Sequence, residues 1–293
     1  MVSSPTGLTA FAVDCGTGGA TCDPLWNAPT PAPQPPDGGV GIEDEVVVGF
    51  SAPVGRYAEV LVSGPAGVYA FRTDCRTDGG VCGPEWIGRG AGSTEPPAVG
   101  AGAIYENTHL GVEAFPVFCE QRPCDPFWSA RLPGSDTQTI SAADEDLIVI
   151  DGTAYRWNGG QLVKVWRGYV TTPRSELSAT AVDGRTIYVA ADRVYAFAFD
   201  CGSLGAICHP TWMGPLDPDS SWSQPAVGDG LVFASSSAPA AFVLGCSEGA
   251  GTCAPVWTGR PGSGLSRPAV APTAVVVTSA DGGVTVYRPA ERR

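Results

Sequence analysis

The sequence predicts an all-β fold of the propeller type, on three observations. One frame occurs five times: an Ala-Phe step, a first Cys four residues after the Phe, a short loop, a second Cys, and a Trp four residues later with Pro midway. The copies are Phe11-Cys15-Cys22-Trp26, Phe71-Cys75-Cys82-Trp86, Phe115-Cys119-Cys124-Trp128, Phe197-Cys201-Cys208-Trp212 and Phe242-Cys246-Cys253-Trp257. The aromatic anchors Phe11, Phe71, Phe115, Tyr155, Phe197, Phe242 and Tyr287 are spaced by 60, 44, 40, 42, 45 and 45 residues. Short apolar hairpins precede the anchors. A period of about 40–50 residues with four strands per unit is that of a propeller blade.

Each element follows from local chemistry. Leu231-Val232-Phe233-Ala234-Ser235, Thr186-Ile187-Tyr188-Val189-Ala190 and Ala274-Val275-Val276-Val277-Thr278 are rich in β-branched and aromatic residues and bounded by Gly, Ser, Asp or Pro, so they read as strands. Shorter pieces, Pro97-Ala98-Val99, Thr180-Ala181-Val182, Pro225-Ala226-Val227 and Pro268-Ala269-Val270, supply a strand before each hairpin. A last strand ending at Trp completes the unit. The wide first interval holds a Pro-rich stretch at 28–39, expected as a surface loop because Pro cannot serve a central strand. The fourth unit has no cysteine. Asn158-Gly159-Gly160, a tight hairpin signal, makes the connection that elsewhere carries a Cys pair.

The chain of 293 residues is expected to form a single propeller domain over 1–293, with about seven four-stranded blades and six to eight as the range. Seven hairpins but six Trp strands are visible, which fits a ring with two incomplete blades or a piece of a larger propeller. Gly (39) and Pro (27) are abundant and only 16% of residues are charged, which suits strands and turns over helices. Net charge is −13 and Lys164 is the sole lysine, so the surface repels nucleic acid and anionic lipid. No apolar run is long enough to span a bilayer as a helix.

All ten cysteines fall in five local pairs, Cys15/Cys22, Cys75/Cys82, Cys119/Cys124, Cys201/Cys208 and Cys246/Cys253, read as disulfides. Metal binding and free buried thiols are the alternatives, but zinc sites favour tighter Cys spacing. A closed loop of this size contributes about 2–3 kcal/mol in the chain-entropy model. Five disulfides imply an oxidising location: extracellular, cell-surface or periplasmic. No signal peptide is visible at Met1-Val2-Ser3-Ser4, so a mature form or part of a longer exported chain is expected. The even four-residue spacing places Phe and the first Cys on one face, and the second Cys and Trp on one face of the fourth strand. Trp26, Trp86, Trp128, Trp166, Trp212 and Trp257 are read as blade-docking residues, with a ligand platform as the alternative role.

These residues resemble the quinoprotein-like (PQQ-like) β-propeller repeat family. Gln224 to Gly230 matches its Pro-Ala-Val…Asp-Gly strand, Val194 to Phe197 its Val-Tyr-Ala step, and Trp212 its docking Trp. The cysteine-free unit, Ala154-Tyr155 through Gly160 to Trp166, is closest to the plain repeat. The resemblance covers nearly the whole chain. It implies the propeller fold and leaves function open, because the family includes dehydrogenases, assembly scaffolds and receptor sensor domains.

Catalytic chemistry finds little support in the sequence. The quinone-dependent enzymes of that family would show adjacent cysteines over the cofactor, and no Cys-Cys occurs. The two histidines, His109 and His209, read as turn and loop residues. Gly88-Arg89-Gly90-Ala91-Gly92 reads as an inter-blade turn, with no helix following to cradle phosphate. Glu43-Asp44-Glu45, Asp144-Glu145-Asp146, Asp217 and Asp219 read as solvated loop charges, with Ca2+ binding as the alternative. No catalytic or cofactor-binding residue is assigned. The expectation is a non-enzymatic binding scaffold for a protein, peptide or glycan partner. The alternatives are a sensor ectodomain of a longer receptor and a quinone- or metal-dependent oxidoreductase.

Overall fold

The computed structural model describes residues 2–4, 7–12, 21–30, 54–56, 58–93, 95–100, 102–108, 111–119, 123–132, 140–142, 147–170, 180–202, 205–216, 224–235, 238–246, 251–259, 268–271, 274–278 and 284–287. They form two compact units, 1–140 and 141–293.

Unit 1 holds three sheets. Blade 1 is β1 (Val2–Ser4), β2 (Gly7–Ala10) and β3 (Trp26–Pro29). Blade 2 is β4 (Val54–Arg56), β5 (Glu59–Gly64), β6 (Gly67–Arg72) and β7 (Trp86–Arg89). Blade 3 is β8 (Ala98–Val99), β9 (Ala103–Thr108), β10 (Gly111–Pro116) and β11 (Trp128–Ala130).

Unit 2 begins with blade 4: β12 (Ile140–Ala142, its first residue falling just before the unit boundary), β13 (Leu147–Ile150), β14 (Thr153–Trp157) and β15 (Leu162–Gly168). Blade 5 is β16 (Thr180–Asp183), β17 (Thr186–Ala190), β18 (Arg193–Ala198) and β20 (Trp212–Pro215). Its loop carries the short strand β19 (Ala206–Cys208), which pairs in parallel with β15 of blade 4. Blade 6 is β21 (Gln224–Gly228), β22 (Leu231–Ser235), β23 (Ala240–Val243) and β24 (Trp257–Thr258). Blade 7 is β25 (Ala269–Ala271), β26 (Ala274–Thr278) and β27 (Val284–Tyr287).

The architecture is all-β, each sheet an antiparallel meander in sequence order apart from the parallel β15–β19 pair. About seven four-stranded blades were expected. Among the described residues five sheets have four or more strands, and the first and last have three. Among the described residues blade 1 has no strand before β1, and blade 7 none after β27. The hairpin turns use the expected chemistry. Asp151-Gly152 (φ 45° and 65°) and Asp229-Gly230 (φ 51° and 73°) are left-handed at both positions, the geometry that matches the twist of flanking strands.

The hydrophobic core lies between blades. In β6, Tyr69 and Phe71 pack toward blade 1, while Val68 and Ala70 pack toward blade 3. A sheet covered on both faces needs apolar residues on both, which is why the central hairpins read as continuous apolar runs. The alternation of large and small residues also has a cause. The Ala beside each anchor stands directly opposite the Trp of its own blade: Ala10–Trp26, Ala70–Trp86, Ala114–Trp128, Ala154–Trp166, Ala196–Trp212 and Ala241–Trp257. A methyl group there leaves room for the indole.

Three expectations are corrected. Trp opens the outer strand in blades 1, 2, 3, 5 and 6, where it was expected to end it. Ala28 and Pro29, placed in the Pro-rich loop, belong to β3, while 31–39 lies outside the described residues. The second Cys and the Trp do not share a face. Cys82 packs toward blade 1 with Trp26, whereas Trp86 packs toward blade 3. The three residues between them, Gly83-Pro84-Glu85, are outside any strand, so the period-two rule does not carry across.

Candidate functional site

The cysteine loops and the seams between blades concentrate the functional side chains. The structure joins Cys75–Cys82, Cys119–Cys124, Cys201–Cys208 and Cys246–Cys253, with Cα–Cα distances of 6.2, 5.9, 5.7 and 6.1 Å. Cys22 is also disulfide-bonded, and Cys15 lies outside the described residues. The second Cys of each described pair is buried and packs in the seam with the preceding blade. In the four described pairs the third strand ends before the first Cys, so each disulfide sits beyond the strands it links.

Each loop makes backbone hydrogen bonds to the outer strand of the preceding blade. The Cys82 N–H donates to Asn27 O (2.7 Å) and the Asn27 N–H to Gly80 O (3.0 Å). The Arg89 N–H donates to Cys124 O (2.7 Å) and the Cys124 N–H to Ile87 O (2.9 Å). The Tyr169 N–H donates to Cys208 O (2.6 Å) and the Gly205 N–H to Val165 O (2.8 Å). The Met213 N–H donates to Gly251 O (2.9 Å) and the Cys253 N–H to Met213 O (2.7 Å). All four pairings are parallel.

Beneath these bonds the Trp of one blade meets the anchor Phe of the next. Ring centroids are 6.1 Å apart for Trp26–Phe71, 5.9 Å for Trp166–Phe197 and 6.1 Å for Trp212–Phe242. The Trp26 and Trp166 indole N–H groups donate to Thr73 O (3.2 Å) and Phe199 O (3.1 Å) of the following blade, satisfying the polar edge of a buried ring. In blades 2, 4 and 5 a Gly two residues after Trp gives the Phe of the next blade its space, while Ala28 holds that place in blade 1. A Cβ at Gly88 would stand 2.9 Å from Phe115, and one at Gly168 2.8 Å from Phe197. Gly168→Val is expected to lower stability by about 1–3 kcal/mol through overpacking, checked by urea unfolding. The Trp-x-Gly step is legible in the sequence at Trp86, Trp166, Trp212 and Trp257.

Sequence reasoning also missed an acidic pair, one member buried and the other half-buried. Glu106 and Glu113 are cross-strand partners in β9 and β10. Their positions match Val62 and Tyr69 in blade 2, and Val189 and Tyr195 in blade 5. Glu106 is fully buried, alongside buried Ser63 from blade 2. A Cβ on Gly90 would meet the Oε2 atoms of both carboxyl groups, and Glu113 Oε2 accepts the Ala91 N–H (3.2 Å). Burial first, then the Glu113 charge, pushes the Glu106 carboxyl well above the usual carboxylate range, against the Ser63 hydroxyl, which lowers it. Burial likewise raises the Tyr69 hydroxyl, with a smaller upward push from Glu106. The seam therefore favours the neutral form of the Glu106 carboxyl over its charged form.

His209 is exposed beside Cys208, its ring 5.1 Å from that of Tyr169. In the blade 2 loop, the Arg76 guanidinium pairs with both Asp78 oxygens (2.8 and 2.7 Å) and, with the Gly80 N–H, holds that carboxyl far below its usual range. His109, Glu43-Asp44-Glu45, Asp144-Glu145-Asp146, Asp217 and Asp219 lie outside the described residues. Among the described residues no three His, Cys, Asp or Glu side chains converge as metal ligands.

No family model matches the chain. No curated protein matches it either. Among solved structures it is similar to the crystal structure of BamB from Moraxella catarrhalis, at 17% identity and a TM-score of 0.50, over 79% of this chain and 70% of that one. At that identity the likeness is one of fold, and the fold it supports is the β-propeller expected from the repeat.

Proposed function

We propose that this chain is an exported binding module whose disulfide-loop ends meet a protein, peptide or glycan partner. The observation that carries the reading is where the large exposed apolar side chains lie. Val81, Phe118, Phe127, Ile207 and Val256, each more than half exposed, all sit in connections between third and fourth strands. Tyr169, also exposed, stacks on His209 of such a loop. Loops held on a rigid scaffold are the usual carriers of recognition, and apolar groups kept in water at one class of loop mark a contact surface. The disulfides support an oxidising, extracellular or periplasmic setting.

The test is cross-linking of the full chain in its own host with the wild type and with Phe118→Ser combined with Phe127→Ser. The double variant is expected to keep the wild-type melting temperature and to lose partners that the wild type cross-links. An unchanged partner set would remove this surface from the reading. Recovery of a stoichiometric quinone or metal with the protein from its host would favour an enzyme instead.

A further inference from the structure

We infer that each of the disulfide loops of blades 2, 3, 5 and 6 is a covalently closed latch on the blade before it, so that the oxidation state of one cysteine pair controls the burial of its neighbour's tryptophan. Four loops make the same parallel backbone pairing to the preceding outer strand, although their inter-cysteine gaps differ between six residues and four. A loop serving only its own hairpin would have no reason to reproduce that contact. Tryptophan burial follows the loops. Trp26, Trp86, Trp166 and Trp212, each latched by a described loop, are 0, 4, 0 and 4% exposed. Trp257 is followed by blade 7, for which no disulfide is described, and it is only half-buried. Trp257 meets its anchor Tyr287 at 4.9 Å, so aromatic contact alone does not close the seam.

The chemistry of release is a thiol–disulfide exchange. A dithiol reductant breaks the S–S bond with two electrons, each cysteine sulfur takes a proton, and the dithiol closes to its own disulfide. The freed segment then regains the loop entropy that the bond had removed, and its two hydrogen bonds to the preceding blade compete with water. Because the second Cys is buried in the seam, that opening also uncovers the Trp beneath.

The test uses backbone and indole hydrogen exchange in the full chain carrying Cys201→Ala with Cys208→Ala. Exchange is expected to rise at least tenfold at the Tyr169 amide and the Trp166 indole, both tied to blade 5, while Met213, latched by the Cys246–Cys253 loop, stays at the wild-type rate. Faster exchange confined to 199–211 would overturn the latch and leave an ordinary hairpin staple. Should the variant not fold, the wild type is titrated with dithiothreitol, and exchange at Asn27, Arg89, Tyr169 and Met213 must rise as free thiols appear. Free thiols without that rise would equally overturn the proposal.

Discussion

Trp166→Ala is expected to lower the stability of the protein by about 3–5 kcal/mol, the range for removing a buried aromatic ring. Its indole is wholly buried among Leu147, Val149 and Ala154 of its own blade and Ile187, Tyr195, Phe197 and Cys208 of the next. The substitution leaves a cavity between two sheets and strips Phe199 O of its donor. The backbone pairing above the cavity resists collapse, because the Tyr169 and Gly205 amides hold the two blades at fixed separation. Half-buried Trp257 is the internal control. Its alanine variant loses less apolar burial, so its destabilisation should be clearly smaller. Guanidinium unfolding followed by circular dichroism separates the two, and equal losses would mean that the latched seams are no tighter than the unlatched one.

The second large effect is a gain. Glu106→Val is expected to stabilise the protein at neutral pH by about 1–3 kcal/mol, the usual cost of burying a poorly paired polar group. Blades 2 and 5 show the outcome in advance, since Val62 and Val189 occupy the same register position. The pH dependence carries a definite sign. The folded-state pKa of Glu106 is raised, so the unfolded chain releases this proton first as pH rises. Its contribution is therefore most favourable below the ordinary glutamate value of 4.5 and declines as pH climbs from there through the raised folded value. The groups facing it are Glu113 across the hairpin and Ser63 and Tyr69 from blade 2; ionised Glu113 deepens the decline. Asp74, Asp78 and Asp200 work oppositely but below their ordinary value of 3.8, so the two windows are distinct. Thermal melts from pH 4 to pH 8 should show the decline in the wild type and a flatter profile in Glu106→Gln. Parallel profiles for the two proteins would refute the assignment of the slope to Glu106.

These predictions differ in how far the sequence exposes their basis. Five of the tryptophans announce themselves, recurring at a constant distance from a Cys-x-Pro step; Trp166 lacks that step, but the partner Ala stands beside its anchor as beside theirs. Glu106 does not. In Ala103-Ile104-Tyr105-Glu106-Asn107-Thr108 an acidic residue reads as the solvent face of a half-buried strand. Only the packing of blade 2 against that face buries it. Alignment of the repeats by their anchors would have flagged the position, since a carboxyl stands where Val62, Val189 and Ala234 stand elsewhere.

The sequence by itself determined the all-β class, the blade repeat, the hairpin turns and the local cysteine pairs. Each of these depends on residues within one repeat, where spacing maps directly onto strand period, turn type or loop closure. Tertiary structure alone decided which neighbour each face meets. It sends the second Cys toward one blade and the Trp toward the other, lays each disulfide loop on the preceding outer strand, and closes Glu106 into a seam. Those contacts join segments roughly a repeat apart through backbone amides and buried faces. Main-chain hydrogen bonding of this kind leaves little signature in side-chain identity, so it becomes visible only when the blades are packed.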